Sequence, residues 1–375
     1  MDPAAPPHRR VVIAPDSFKG SLSAAEAADA LARGWLRGSP GDRVLGLPMA
    51  DGGEGTLDAV LRAVPGSRSV PVRVDGPSGS RVDAHWVRLP NGDAAVELAA
   101  ASGILLLRRD ASGRPELRPL DAHTRGTGQA IRAAIESGAR RVFVGLGGSA
   151  STDGGSGILQ ALGVRLLDRD GTEIPPGNRH LTEAARVDFS GRVTLPPDGL
   201  VVWSDVTAPL LGELGAARVF GPQKGMDEAM IADAERGLQR LSDVLGGDPR
   251  AAGAGAAGGA GYALGLLGGV LTSGAEAVAR MIGLEERIAE ADLVITGEGR
   301  FDLQSERGKT VSRVRASAAA HRRPVALIAG RIEAPVDGFA WSASLTMLAR
   351  PGESPMRDAA RILERAGEQL ASRCS

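Results

Sequence analysis

The chain has 375 residues, with 44 Lys plus Arg against 45 Asp plus Glu, 43% hydrophobic residues and a single cysteine, Cys374. A net charge of −1 without a basic block argues against a dedicated nucleic-acid binder, and one cysteine excludes intrachain disulfides, Cys-based zinc sites and a CxxC redox pair. The length suits roughly two domains with cores of their own.

Taken in chain order, Met1–Arg10 carries three prolines and no apolar core, so it is expected to be a disordered tail and no signal peptide, which makes a cytoplasmic location the default. Short aliphatic runs bounded by Gly, Pro and Asp then alternate with Ala-rich helical stretches, the pattern of α/β architecture with a mainly parallel sheet. A strand is predicted over Val11–Ala14, followed by Pro15-Asp16-Ser17-Phe18-Lys19-Gly20 and a helix over Ala24–Leu36 opened by a Ser23/Glu26 capping box. Arg43–Leu47 repeats the arrangement, with Asp51-Gly52-Gly53-Glu54-Gly55 as its outgoing loop and Thr56–Ala63 as the next helix. Extended segments follow at Val70–Val74, Val82–Leu89 and Ala94–Leu98, separated by Gly76-Pro77-Ser78-Gly79 and the hairpin signal Pro90-Asn91-Gly92. Beyond them lie a helix over Thr127–Ser137, a strand over Arg141–Val144 and a glycine-rich loop over Gly145–Gly157.

Ala251–Ala275 runs 25 residues without a charge, long enough to span a bilayer, but nine of them are glycine and few are large aliphatics. No membrane partner is expected. Near the end a strand over Ala291–Thr296, a tight exit at Gly297-Glu298-Gly299, a helix over Val311–His321, a strand over Pro324–Ile328 and a helix over Met356–Ser372 restore the first pattern. The expectation is therefore a Rossmann-like or flavodoxin-like parallel-sheet domain made of 11–70 and 285–375, with a second α/β domain, 71–284, inserted into it.

Only three of the 44 cations are lysine, and Lys19, Lys224 and Lys309 each adjoin a glycine. Open α/β sheets bind ligands where strand ends lead into helix N-termini, whose free N–H groups attract anions. Several such loops here hold a carboxylate beside glycines: Asp16, Asp51 with Glu54, Asp153, and Glu298 with Asp302. Phosphate with magnesium explains that combination economically, since amides and Lys neutralise phosphoryl oxygens and carboxylates hold the hard cation. Asp205 follows the apolar run Leu200–Trp203, and His123 reads as a surface or hydrogen-bonded residue more readily than as a base. Gly308-Lys309-Thr310 resembles the end of a P-loop, but position 303, where the first glycine belongs, is Leu303. Gly145-Leu146-Gly147-Gly148-Ser149-Ala150 fits a dinucleotide fingerprint, with Asp168 and Asp170 further on, so an NAD(P)-dependent oxidoreductase is the rival reading.

Together, Ala14–Leu22, Met49–Thr56, Gly147–Gly155, Phe220–Gly225, Gly253–Gly259 and Thr296–Gly299 with Asp302, Gln304, Gly308 and Lys309 resemble the type I glycerate kinase family. The likeness runs from about residue 11 to 365. It implies ATP- and Mg2+-dependent phosphorylation of D-glycerate, 2-phosphoglycerate being favoured over 3-phosphoglycerate, in a two-domain fold with the site in the cleft between domains. On the same footing Asp16, Asp153 or Asp205 positions the attacking hydroxyl, and Lys19, Lys224 and Lys309 act on phosphates or the substrate carboxylate. Ser17, Gly20, Ser21, Gly52, Gly53, Gly148, Ser149, Gly297 and Gly299 line substrate or phosphate, and Asp51, Glu54, Glu298 and Asp302 support the metal. Two positions depart from the family pattern: Ser151-Thr152 stands where Thr-Asn is expected, and Ala208 where Asn is common. A homodimer is left open, and a catalytically silent nucleotide-binding regulatory protein is a further alternative.

Overall fold

In a computed structural model, residues 8–303, 305 and 310–374 are described. The strands in chain order are β1 (Arg10–Pro15), β2 (Arg43–Gly46), β3 (Arg68–Asp75), β4 (Arg81–Arg88), β5 (Ala94–Glu97), β6 (Val142–Gly145), β7 (Arg165–Leu167), β8 (Arg186–Asp188), β9 (Leu200–Trp203), β10 (Val270–Thr272), β11 (Leu293–Phe301), β12 (Val325–Ile332) and β13 (Trp341–Ser344). The chain divides into two compact units, one of Met1–Asp51, Asp58–Val64 and Ala275–Ser375, the other of Gly52–Leu57 and Pro65–Gly274.

Unit one is built on a five-stranded sheet of order β13-β12-β11-β1-β2, parallel at every pairing. The aliphatic segments of its inner strands β1, β11 and β12 are buried on both faces, as the middle of a parallel sheet requires. Ile13, Ile295 and Ile328 pack with Leu31, Trp35, Ile362 and Leu363 of the helices Ala24–Gly38 and Ala359–Cys374, while Leu327 and Ala329 pack with Phe301 and with Val311 of the helix Thr310–Ala320. Ser23 and Glu26 form the full capping box that the sequence predicts. The two terminal helices approach closely because Gly34 leaves room for the Glu364 carbonyl, which a Cβ there would meet at 1.9 Å.

Two expectations in this unit need correction. Gly297-Glu298-Gly299 is no exit from a strand but lies inside β11, with Gly297 paired to Pro15 and Ile328. Neither glycine has a left-handed φ; a Cβ on Gly297 would sit 1.9 Å from the Ile328 carbonyl oxygen, so glycine is there for close strand contact. The last helix begins at Ala359 and not at Met356, because Asp358 accepts the Ser354 N–H (2.9 Å) and holds the preceding residues in a turn.

Unit two carries a six-stranded sheet of order β10-β9-β6-β5-β4-β3, in which β5, β6, β9 and β10 are parallel and β3 and β4 form an antiparallel edge. A two-stranded ribbon of β7 and β8 accompanies it. Val144 and Val202 pack under Ile131, Ile158 and Leu264 of the helices Arg125–Glu136, Ser156–Ala161 and Ala260–Leu266. The charge-free stretch therefore goes largely into core packing: Gly261 admits the Gly253 carbonyl, which a Cβ would meet at 2.1 Å. Among the described residues no helix is long and apolar enough to cross a membrane.

Candidate functional site

In unit one the strand order reverses between β1 and β11: the chain moves outward to β2 on one side and to β12 and β13 on the other. Loops leaving the carboxyl ends diverge at such a point and leave a crevice. A cleft of about 690 Å³ lies there, and Asp16, Ser17, Lys19, Ser21, Asp51, Glu298, Gly299 and Asp302 all line it. Eight of the residues singled out in the sequence thus meet at one place.

Asp16 follows β1 directly; its N–H donates to the Gly297 carbonyl (2.7 Å) and its Oδ1 accepts from the Ser17 N–H (2.6 Å). Burial, reinforced by the neighbouring Asp51 carboxylate, pushes its pKa up to about 6. The loop then turns back on itself through Phe18–Leu22 backbone bonds, with Gly20 at φ +81°, and Ser21 Oγ donates to the Phe18 carbonyl (2.9 Å). Gly299 faces this backbone, where a Cβ would stand 3.1 Å from Lys19 N. Lys309 lies outside the described residues, and Gly297 is buried in the sheet.

In unit two Gly52–Leu57 is seated on the carboxyl ends of β5, β6 and β9. A Cβ on Gly145 would be 2.4 Å from the Gly52 oxygen, one on Gly147 2.2 Å from Gly53 Cα, and one on Gly52 2.8 Å from the Trp203 oxygen. These glycines let backbone lie directly on backbone. The segment is also held by Glu97, buried at the end of β5, which accepts N–H bonds from Gly55 (3.3 Å) and Leu57 (3.1 Å). Glu54 and Gly148 share a small cavity of about 200 Å³ with Glu97. Glu97 was not singled out in the sequence; the signal available was a carboxylate closing the otherwise apolar run Ala94-Ala95-Val96. Glu97→Gln turns one acceptor into a donor facing an N–H group, so unit two should lose about 1–3 kcal/mol, read as a lower urea midpoint.

Asp153 is fully buried. Its Oδ2 accepts from Thr124 N and Oγ1 (both 2.8 Å) and Gly157 N (3.2 Å), and its Oδ1 from Gly155 N (3.1 Å). The carboxylate thus ties the starts of two helices together. Lys224 is buried as well and donates through Nζ to the Ser151 carbonyl. Burial lowers its pKa to about 8, against the opposing pull of Asp153. Ser149 Oγ accepts the Ser151 N–H (3.1 Å). Asp205 is exposed at the end of β9 and accepts the Gly274 N–H (2.9 Å). His123 is a buried residue whose Nδ1 accepts from Arg125 N (3.4 Å), and burial lowers its pKa.

The dinucleotide fingerprint loses its context here. No helix opens after Gly145-Leu146-Gly147-Gly148 until Ser156, and the intervening Gly148, Gly154 and Gly155 take φ values of +70°, +66° and +72°. Asp168 is occupied as a turn acceptor for the N–H groups of Asp170 (2.9 Å) and Thr172 (2.8 Å).

The model of the glycerate kinase family matches residues 11–375. The chain is 44% identical over 334 residues to glycerate 2-kinase of Escherichia coli (strain K12), covering 86% of this chain and 85% of that protein. It is 42% identical over 376 residues to glycerate kinase of Bacillus subtilis (strain 168), covering 97% of each. A solved structure of a glycerate kinase 2 from Salmonella typhimurium LT2 superimposes with a TM-score of 0.81 at 39% identity, over 98% of both chains. With the match running unbroken from Val11 onward, the chain belongs to the glycerate kinase family and is an enzyme of that family.

Proposed function

We propose that this enzyme transfers the γ-phosphoryl group of ATP to a hydroxyl of D-glycerate, giving ADP and 2-phosphoglycerate in preference to 3-phosphoglycerate. The observation that carries the reading is the unit-one cleft at the sheet's reversal point, where Asp16, Asp51 and Lys19 converge. The regiochemistry draws on the E. coli relative, which is named a glycerate 2-kinase.

The hydroxyl oxygen attacks the γ-phosphorus, the bond to the β,γ-bridging oxygen breaks, and the hydroxyl proton passes to a carboxylate. Asp16 fits that role, because its pKa of about 6 leaves it ionised at neutral pH yet able to accept a proton. Lys19 and Lys309 are assigned to phosphoryl oxygens, as are the amides around Ser17, Gly20, Ser21 and Gly299; in unit two Gly148 and Ser149 are assigned to substrate or phosphate, while Gly52 and Gly53, buried against the sheet ends, position their loop. Lys224 holds Ser151, and through it the loop that ends at Asp153. Among the described residues no group of three or more His, Cys, Asp or Glu could hold a metal. Mg2+ nevertheless fits, since it is held by one or two carboxylates plus substrate phosphates, and Asp16 with Asp51 is a repelling pair that a cation would relieve. Bound there, Mg2+ would neutralise phosphoryl charge; Glu298 and Asp302, which line the same cleft, would support it or its loops.

The test is ADP release with D-glycerate, followed by phosphorus NMR of the product. A 2-phosphoglycerate signal is expected. Folded protein giving no ADP above background ends the proposal, and a 3-phosphoglycerate signal corrects its regiochemistry.

A further inference from the structure

The unit-one cleft holds more space than a three-carbon acid needs; at about 690 Å³ it is sized for a ligand of many more atoms. Its chemistry changes along the sheet. Asp51 and Asp16 stand beyond β2 and β1, Glu298 lies within β11 with Asp302 just after it, and Arg331 stands near the end of β12; beyond β13 the lining carries Leu345, Pro355 and Met356 alongside Thr346 and Ser354. From β1 to β13 is three strand spacings, roughly 14 Å, comparable with the reach of a nucleoside triphosphate from its terminal phosphate to its base. Among the described residues Arg331 makes no ion pair, so it is available to an anion in the middle of that path.

The apolar end is held firmly. Glu353 accepts from Arg365 through both oxygens (3.0 and 2.6 Å) and from Arg350 N (2.8 Å), and Arg365 also donates to the Leu348 carbonyl (3.0 Å). Asp358 fixes Ser354 from the other side (2.9 Å). This frame presents Pro355 and a Met356 that is 55% exposed, although an exposed thioether gains nothing for the fold. A polarizable Met beside Pro and Leu is a surface suited to one face of an aromatic ring, and glycerate has no such face.

We propose that Leu345, Pro355 and Met356 are the seat of the nucleotide's purine base, so that ATP lies along the carboxyl edge of the unit-one sheet with its phosphates toward β1. The assignment rests on the reading of the enzyme as an ATP-dependent kinase. It is tested by titration calorimetry of ATP and of inorganic tripolyphosphate with wild type, Met356→Ser and Met356→Leu. Removing the thioether surface should weaken ATP roughly tenfold while leaving tripolyphosphate within about twofold of wild type, and the volume-conserving Leu variant should retain ATP affinity. Equal weakening of both ligands, or unchanged ATP affinity in Met356→Ser, overturns the base seat. In that event wild-type turnover of ATP with D-glycerate leaves the kinase reading standing; a wild type that neither binds ATP nor turns over overturns both.

Discussion

Asp16→Asn is expected to melt higher than wild type at pH 7 and to turn over D-glycerate roughly a hundredfold more slowly. The stability gain follows from the direction of the pKa shift. In the folded protein Asp16 holds its proton up to about pH 6, whereas its ordinary value is 3.8. Between those values the unfolded chain has lost the proton and the folded one has not, so stability falls as pH rises through the window, and the deficit persists above it. Two pKa units correspond to about 3 kcal/mol. Partial solvent screening reduces this to about 1–2 kcal/mol. Asparagine removes the charge and hence the deficit, so the variant should exceed wild type at pH 7 and match it at pH 3.5. The catalytic loss follows because an amide cannot take the hydroxyl proton and leaves Asp51 as the remaining carboxylate of the pair. Thermal melts at both pH values with steady-state kinetics check the two halves separately; wild-type turnover in the variant would make Asp16 a structural residue.

Lys224→Arg, conservative in charge, should cost about 3–5 kcal/mol of stability. The ammonium is buried and its pKa is lowered to about 8 by desolvation, so it can shed its proton when the environment demands; a guanidinium cannot, and it is also larger. Lys224→Met is the informative partner. It removes the buried charge together with the bond to Ser151, so its stability at pH 7 should lie closer to wild type than that of the Arg variant. Wild type should gain stability between pH 8 and pH 10, where the unfolded chain still carries the proton that the folded one has lost. The Met variant should lack that rise. The comparison stops near pH 10, because Tyr262, whose pKa burial pushes up to about 12, acts in the opposite sense above its ordinary value of 10. An undiminished rise in Lys224→Met would assign the effect to another group.

The α/β alternation was legible because it rests on local signals: β-branched runs, the Ser23/Glu26 box, and turn residues such as Asn91-Gly92. Where glycine is involved, legibility depends on what glycine is for. At Gly20 it permits a left-handed turn, which a sequence advertises. At Gly297 it is absent bulk between three strands, which looks the same in sequence as a strand exit. The loop residues Asp16, Lys19, Asp51, Glu298 and Asp302 could be picked out because carboxylates and a rare lysine beside glycines are unusual, and in the structure they share one cleft. Glu97 could not, because its importance comes from two N–H groups some forty positions earlier in the chain. The interior positions of Lys224 and Asp153 were equally hidden, since burial is set by packing from segments far apart in sequence.

The place of β1 in its sheet carries a consequence for the living chain. During synthesis Val11-Val12-Ile13-Ala14 of β1 can pair with β2 as soon as both have emerged, but its other flank belongs to β11, beginning at Leu293. At roughly 5–20 residues per second, synthesis of the stretch between them takes tens of seconds. Unit two, complete at Gly274, can assemble during that interval, while an aliphatic strand edge waits unpaired. A delay between the two pairings of β1, lasting until β11 has emerged, is therefore built into the strand order.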